Sequence, residues 1–202
     1  RRRCRDADGE AQGYLLYTLN SNKISHRARS QGLEIRDLVA LNLDAYRAIW
    51  NFLSKHDLVG SITWTSAPDD DPLPELLAEP RMLHAQANEG AWLRIVDIAG
   101  ALTARGYHSD GQVTFSVPED SLTPWNEGSY RLTVDNGSAE VQRVETEGEF
   151  TIDRKHLASA WCGRHRLQTL ANWGLVSGDA AAIARADSLF ATRYRPHCPD
   201  HF

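Results

Sequence analysis

The chain has 202 residues, 42% of them apolar and 24% charged, with a formal net charge of −5. That is an ordinary globular balance, long enough for one large domain or two small ones. It excludes three classes at once: no apolar run approaches the roughly 20 residues that cross a bilayer, the negative charge offers no general attraction for nucleic acid, and three scattered cysteines, Cys4, Cys162 and Cys198, are too few for a disulfide framework. A reducing cytoplasm, with neither membrane nor nucleic acid as partner, fits best.

The opening RRRCRDADGE has no initiator Met, no apolar stretch and no small-residue cleavage site. It is no ordinary targeting peptide, and the chain is expected to begin inside a longer gene product. Arg1 to Arg5 read as an exposed strand edge or a fragment end rather than a binding patch. QGYLLYTL (12–19) and LEIRDLVAL (33–41) read as strands joined by a polar, hairpin-like stretch. Leu43, Tyr46, Ile49, Trp50 and Leu53 then fall at helical spacing behind a candidate cap, Asn42. LVGSITWT (58–65) returns as a strand.

SAPDDDPLPELLAEPR (66–81) carries four of the eight prolines and an acidic run, and reads as a linker. The boundaries predicted on this basis are 1–66, a linker at 67–81, and 82–202. In the second part a short strand from Trp92 to Val96 is predicted to enter a helix capped by Asp97 and ended by Gly106. Four strand-like stretches follow at 111–118, 128–137, 138–145 and 148–153, with DNGS at 135–138 as a hairpin turn. They are expected to form one antiparallel meander. Helical patterns at 153–163, 166–174 and 179–194 come last, the final one with Ala182, Ile183, Ala186, Leu189 and Phe190 on one stripe. Strands followed by helices indicate an α+β class.

Several residues carry candidate chemistry. Cys162-x-x-His165 and Cys198-x-x-His201 copy the half-sites of a zinc centre, but Cys162 sits where a helix ends, with no Gly-rich knuckle. Two small buried thiols, and no metal, are the preferred reading. RARSQG (27–32) faintly matches a pyrophosphate-binding loop, yet it lacks the last glycine and leads into a strand pattern instead of a helix. Arg94 and Asp97 are read as a structural pair, and Trp50, Trp64, Trp161 and Trp173 as packing residues. Hydrolase and kinase signatures are absent. The ending RYRPHCPDHF, with Pro196, Cys198, Pro199 and Phe202, is unusually apolar and stiff for a terminus and is expected to be held in place.

LNLDAYRAIWNFLSKHDLVGSITW, DDDPLPELLAEPR, AWLRIVDIAGALTARGY, FTIDRKHLASAWCGRHRLQTLANWGLVSGDAAAIARADSLF and the closing PHCPDHF together resemble the central-to-C-terminal portion of the Eis (enhanced intracellular survival) family of GNAT-type N-acetyltransferases. WLRIVDIAGAL and P-x-C-x-x-x-F are the specific pieces. The resemblance implies the end of a central GNAT-like domain without cofactor, followed by a domain like a sterol carrier protein. Acetyl-CoA would be bound by an N-terminal GNAT domain absent from this chain, and the isolated chain would be inactive. The assembly would be a homo-oligomer, a hexamer, acting on an amine such as an aminoglycoside or a lysine side chain.

By the same resemblance the terminal carboxylate of Phe202 is the general base on the substrate amine, with Asp200, His201 and Trp92 as substrate-binding residues, although an aromatic at a strand start such as Trp92 is more often core than ligand contact. A free α-carboxyl of reference pKa about 3.5 is a poor base; burial beside an aromatic and the nearby Asp200 would raise it. Two other readings stay open: a sterol-carrier-like module that binds an apolar ligand without catalysis, and a zinc-stapled structural domain.

Overall fold

The computed structural model describes residues 1–20 and 31–200. The chain divides into two compact units, Arg1–Pro68 and Asp69–Phe202. The class is α+β, as the sequence predicts, with one sheet in each unit.

In the first unit β1 (Arg2–Arg5), β2 (Ala11–Asn20) and β3 (Gln31–Ala40) pair antiparallel in that order. β1 is an edge strand, which suits its row of arginines. The chain then passes through α1 (Leu43–Leu53) and returns as β4 (Val59–Trp64), parallel to β3. A parallel neighbour requires such a crossover, and the helix supplies it. α1 begins where Asn42 Oδ1 accepts the Ala45 N–H at 2.8 Å, and it turns Ala45, Tyr46, Ile49 and Leu53 inward. Ile49 and Leu53 meet Leu15, Leu33 and Ile35 in one apolar cluster. Alternation along the strands put those three side chains on the helix face. The hairpin-like stretch and most of RARSQG lie outside the described residues.

The second unit starts with the acidic, proline-rich stretch. It folds into a short helix, α2 (Leu73–Leu76), and a 3-10 turn at Pro80–Leu83, with Leu73 buried. α3 (Ile98–Thr103) is capped by Asp97, whose Oδ1 accepts the Gly100 N–H at 3.0 Å, and it stops at Ala104, before Gly106. The predicted strand from Trp92 to Val96 does not form. Its polar groups are met by side chains instead of a ladder: Val96 O accepts from Trp125 Nε1 at 2.8 Å and from Asn126 Nδ2 at 2.9 Å. Only Ile95 of this segment is buried.

β5 (Gly111–Val117), β6 (Gly128–Asp135) and β7 (Ser138–Val144) make an antiparallel meander. Its second turn is the predicted one, with Asn136 at φ 49° and Gly137 at φ 77°, the positive values a two-residue hairpin demands. The meander ends there. β8 (Phe150–Ile152) crosses to the other side of β5 and pairs with it in parallel, and β9 (Val176–Gly178), absent from the sequence reading, adds to β8. The order is therefore β7-β6-β5-β8-β9. Gly148 makes the crossing possible, because any Cβ there would collide with the backbone of Phe115 and Ser116.

α4 (Arg154–Trp161), α5 (Leu167–Asn172) and α6 (Ala180–Leu189) cover the sheet. Phe115, the centre of the core, stacks on Tyr130 at 5.7 Å and on Phe150 at 5.9 Å between ring centroids. Arg105 fastens two helix ends at once, donating to Trp161 O at 2.9 Å and Phe190 O at 2.8 Å. These are carbonyls that a helix terminus leaves without an internal partner. The space between sheet and helices is filled by side chains such as Leu132, Ile152, Leu157 and Leu170, each essentially inaccessible to solvent.

Candidate functional site

Phe202 and His201 lie outside the described residues. Asp200 is exposed, and its carbonyl faces Cys198 Sγ at 3.7 Å. Trp92 is 85% exposed.

The root of the tail is held, and its anchor is the acidic run. Arg195 donates through its backbone N–H to Asp70 Oδ2 at 3.0 Å and through Nη1 to Asp69 Oδ2 at 2.9 Å. Arg164 Nη1 reaches the same Asp69 oxygen at 2.7 Å. The hydrogen bond from Arg195 holds the Asp69 carboxyl below its ordinary value against the opposing effect of burial, with the charge of Arg164 adding to it. Beyond Arg195, the residues up to Asp200 are exposed.

The two half-sites of the zinc pattern have other partners. Cys162 Sγ donates to Ser159 O at 3.4 Å, and His165 Nδ1 lies 2.7 Å from Ser159 Oγ. Cys162 is partly buried while Cys198 is exposed. Among the described residues no group of three ligating side chains converges. A serine hydroxyl beside an imidazole also has the shape of an activated nucleophile, but no described carboxylate contacts His165 to orient it.

The segment 92–97 is positioned by a buried carboxylate that sequence reasoning missed. Asp120 takes ion pairs from Arg94 and from Arg154 at the start of α4, together with hydrogen bonds from Thr123 Oγ1 and, at 2.9 Å, from Leu122 N–H. Burial alone would raise its pKa. The hydrogen bonds from Thr123, Leu122 and Arg94 and the charge of Arg154 overcome that and hold it at about 2. Arg94 thus belongs to Asp120, and the predicted Arg94–Asp97 pair does not form; Asp97 is spent on the cap of α3. Asp120-x-x-Thr123 just after a strand was the available signal, since an Asp before such a turn accepts the backbone N–H two residues on.

Behind this segment an apolar opening of about 250 Å³ is lined by Leu93, Ile95, Val96, Ala101, Ala158 and Trp161. Trp161 Nε1 donates to Ala101 O at 2.8 Å, so the ring's polar edge is satisfied. Among the four tryptophans read as packing residues, Trp173 is 58% exposed and stands against the His165 ring instead.

The crossover β3-α1-β4 is where a fold of this kind can receive a phosphate, on the free N–H groups at a helix start. These residues do not fit that use. Asn42 takes the Ala45 N–H, and Asp44 places a negative charge in the first turn of α1. An anionic cofactor such as acetyl-CoA would meet a closed, negatively charged helix end.

Comparison with known proteins now decides the lineage. Residues 3–95 match the acetyltransferase (GNAT) domain family and residues 98–199 the sterol carrier protein domain family. A Streptomyces griseus protein named as an uncharacterized N-acetyltransferase is 30% identical over 200 residues, covering 98% of this chain and 48% of that protein. The N-acetyltransferase Eis of Mycobacterium tuberculosis is 32% identical over 183 residues, covering 89% of this chain and 42% of its own length.

The chain belongs to the Eis-like GNAT N-acetyltransferase family. Among solved structures, Eis1 from Mycobacterium abscessus superimposes with a TM-score of 0.77 at 33% identity, over 94% of this chain and 48% of that one. A GCN5-related N-acetyltransferase from Anabaena variabilis gives 0.73 at 29% identity, over 92% and 46%. This Eis-like chain therefore carries both a GNAT match and a sterol-carrier match while spanning about half the length of the curated relatives it matches. The GNAT match reaches residue 95, past the division at Pro68, so its last part folds with the second unit.

Proposed function

We propose that the chain serves an N-acetyltransferase that uses acetyl-CoA to modify an amine, as the part that completes the acceptor site and supplies its base. The observation that carries this reading is the match of 98% of the chain to an N-acetyltransferase of twice its span. In this reading the cofactor is held on polypeptide outside these residues, which the capped, acidic start of α1 supports. The 202 residues alone are then inactive, and the working form is a homo-oligomer, a hexamer, of the longer protein.

In this reading the terminal carboxylate of Phe202 accepts the proton that an ammonium group must lose before it can attack. The anchored root at Arg195 fixes the chain seven residues before that carboxylate. Asp200 favours a cationic acceptor, such as an aminoglycoside or a lysine side chain, with His201 as a further substrate contact and Trp92 as an apolar wall. A sterol-carrying role is less well supported, because the interior between sheet and helices is filled and the apolar opening, about 250 Å³, is smaller than the roughly 300 Å³ at which pockets for ligands the size of a sterol begin.

Adding one glycine after Phe202 in the full-length protein displaces the carboxylate by up to about 3.5 Å. Acetylation of an aminoglycoside and of a lysine peptide, followed by acetyl-CoA consumption, is expected to fall about 10²- to 10⁴-fold for whichever acceptor is the substrate. Unchanged turnover would remove the carboxylate from the chemistry.

A further inference from the structure

A second opening, of about 290 Å³, lies at the root of the tail. Its lining includes Arg164, His165, Arg166, Arg193, Arg195 and Asp70. Four guanidinium groups in one small space are unusual in a chain of net charge −5. The walls approach closely because residue 163 is a glycine at φ +81°, where any Cβ would collide with Thr192. That contact brings the end of α4 against the segment after α6.

The carboxylates present do not cancel this charge. Arg164 and Arg195 share one oxygen of Asp69, and Arg195 also reaches Asp70 through its backbone. Arg166 is clamped by the buried Asp187, with Nε at 3.1 Å from both oxygens. Arg193 makes no ion pair among the described residues and lies only over the ring of its neighbour Tyr194, at 5.0 Å. Four cations thus face three carboxylates, Asp69, Asp70 and Asp187. Each paired guanidinium commits part of its five-donor fork and leaves the rest. His165 stands beside them with Nδ1 engaged by Ser159 Oγ, so Nε2 is its remaining polar atom.

We propose that this opening binds a phosphate group, either free or carried on a small alcohol, between Arg193, the open edges of Arg164 and Arg195, and the imidazole of His165. Donors on separate arginines suit a tetrahedral oxoanion with several acceptor oxygens. Burial, and then the charges of Arg164 and Arg195, depress the His165 pKa. A bound anion opposes those charges and raises it.

The test follows the imidazole signals of the chain by NMR, with the His165 signal assigned as the one lost in H165Q. Inorganic phosphate and glycerol 3-phosphate are titrated separately at constant ionic strength, with acetate as a third titrant. A saturable shift of the His165 signal and a higher protonation pH are expected with at least one of the two phosphates, and the tighter of them identifies the source. R193Q, at a position with no ion pair, should keep the wild-type unfolding midpoint and bind about tenfold more weakly. The proposal is overturned by the absence of a saturable shift with both phosphates, by equal affinity in R193Q, or by acetate binding as tightly as phosphate.

Discussion

The two units solve the same problem with unequal means. The first covers one face of a four-stranded sheet with a single helix, and its buried apolar cluster is Leu15, Leu33, Ile35, Ile49 and Leu53. The second wraps a five-stranded sheet with several helices around an unbroken aromatic and aliphatic interior. Each unit also buries side-chain nitrogens without a hydrogen-bond partner among the described residues, the indole N–H groups of Trp50 and Trp64 in the first and Arg131 Nε and His156 Nδ1 in the second, so the contrast lies in the size of the two cores. Stability in this chain should therefore be concentrated in the second unit, while the first has little surplus.

The widest test of that contrast is a matched pair of truncations. Phe115→Ala removes the centre of the large core and is expected to cost about 3–5 kcal/mol, and Leu33→Ala about 2–5 kcal/mol in the small one. Limited proteolysis separates their consequences: L33A should expose the region before Pro68 to cleavage under native conditions, whereas F115A should lower the denaturation midpoint of the second unit without opening the first. Protection of residues 1–20 and 31–68 in L33A would show that the small unit has reserve after all.

A second test acts through pH and concerns the second unit alone. The folded pKa of Asp120, about 2, lies below its ordinary 3.8. A depressed carboxylate contributes stability that is present above the unfolded value and is lost as pH falls through the folded one. The denaturation midpoint of the second unit should therefore drop between about pH 4 and pH 2. Asp120→Asn should be less stable at pH 7, since Arg94 and Arg154 lose their shared charge, and should lack that acid slope. An identical slope in D120N would assign the acid transition to other carboxylates. The smallest effect is expected at the cap of α1, where Asn42→Ala removes one accepted N–H and should lower the stability of the first unit by about 1 kcal/mol.

Much of the architecture was legible beforehand because it rests on local rules. Apolar and aromatic richness placed β2, alternation placed β3, the spacing of Leu43 to Leu53 placed α1, and Asn42 and Asp97 marked two helix starts. Asn136-Gly137 marked a hairpin. The errors also share a cause. Trp92 to Val96 has the composition of a strand but joins no ladder, and its last carbonyls accept from Trp125 and Asn126 instead. β9 is three residues long with only Val176 buried, too little for any periodicity to register.

The site was legible only as resemblance. Nothing in the spacing of Arg94 and Asp120, 26 residues apart, announces that they meet, nor that Arg164 and Arg195 would share Asp69. Sequence by itself determined the class, the identity of most elements, the two helix starts capped by Asn42 and Asp97, and the family to which the chain is related. Each of those depends on residues within a turn or two of each other, where sterics and hydrogen-bond reach leave few choices. Tertiary structure alone decided that β8 would add to the far side of β5, that Asp120 would gather two arginines, and that four arginines would face one opening. Those outcomes depend on which edges and charges remain unsatisfied once the local elements have packed, a condition no short window of sequence contains.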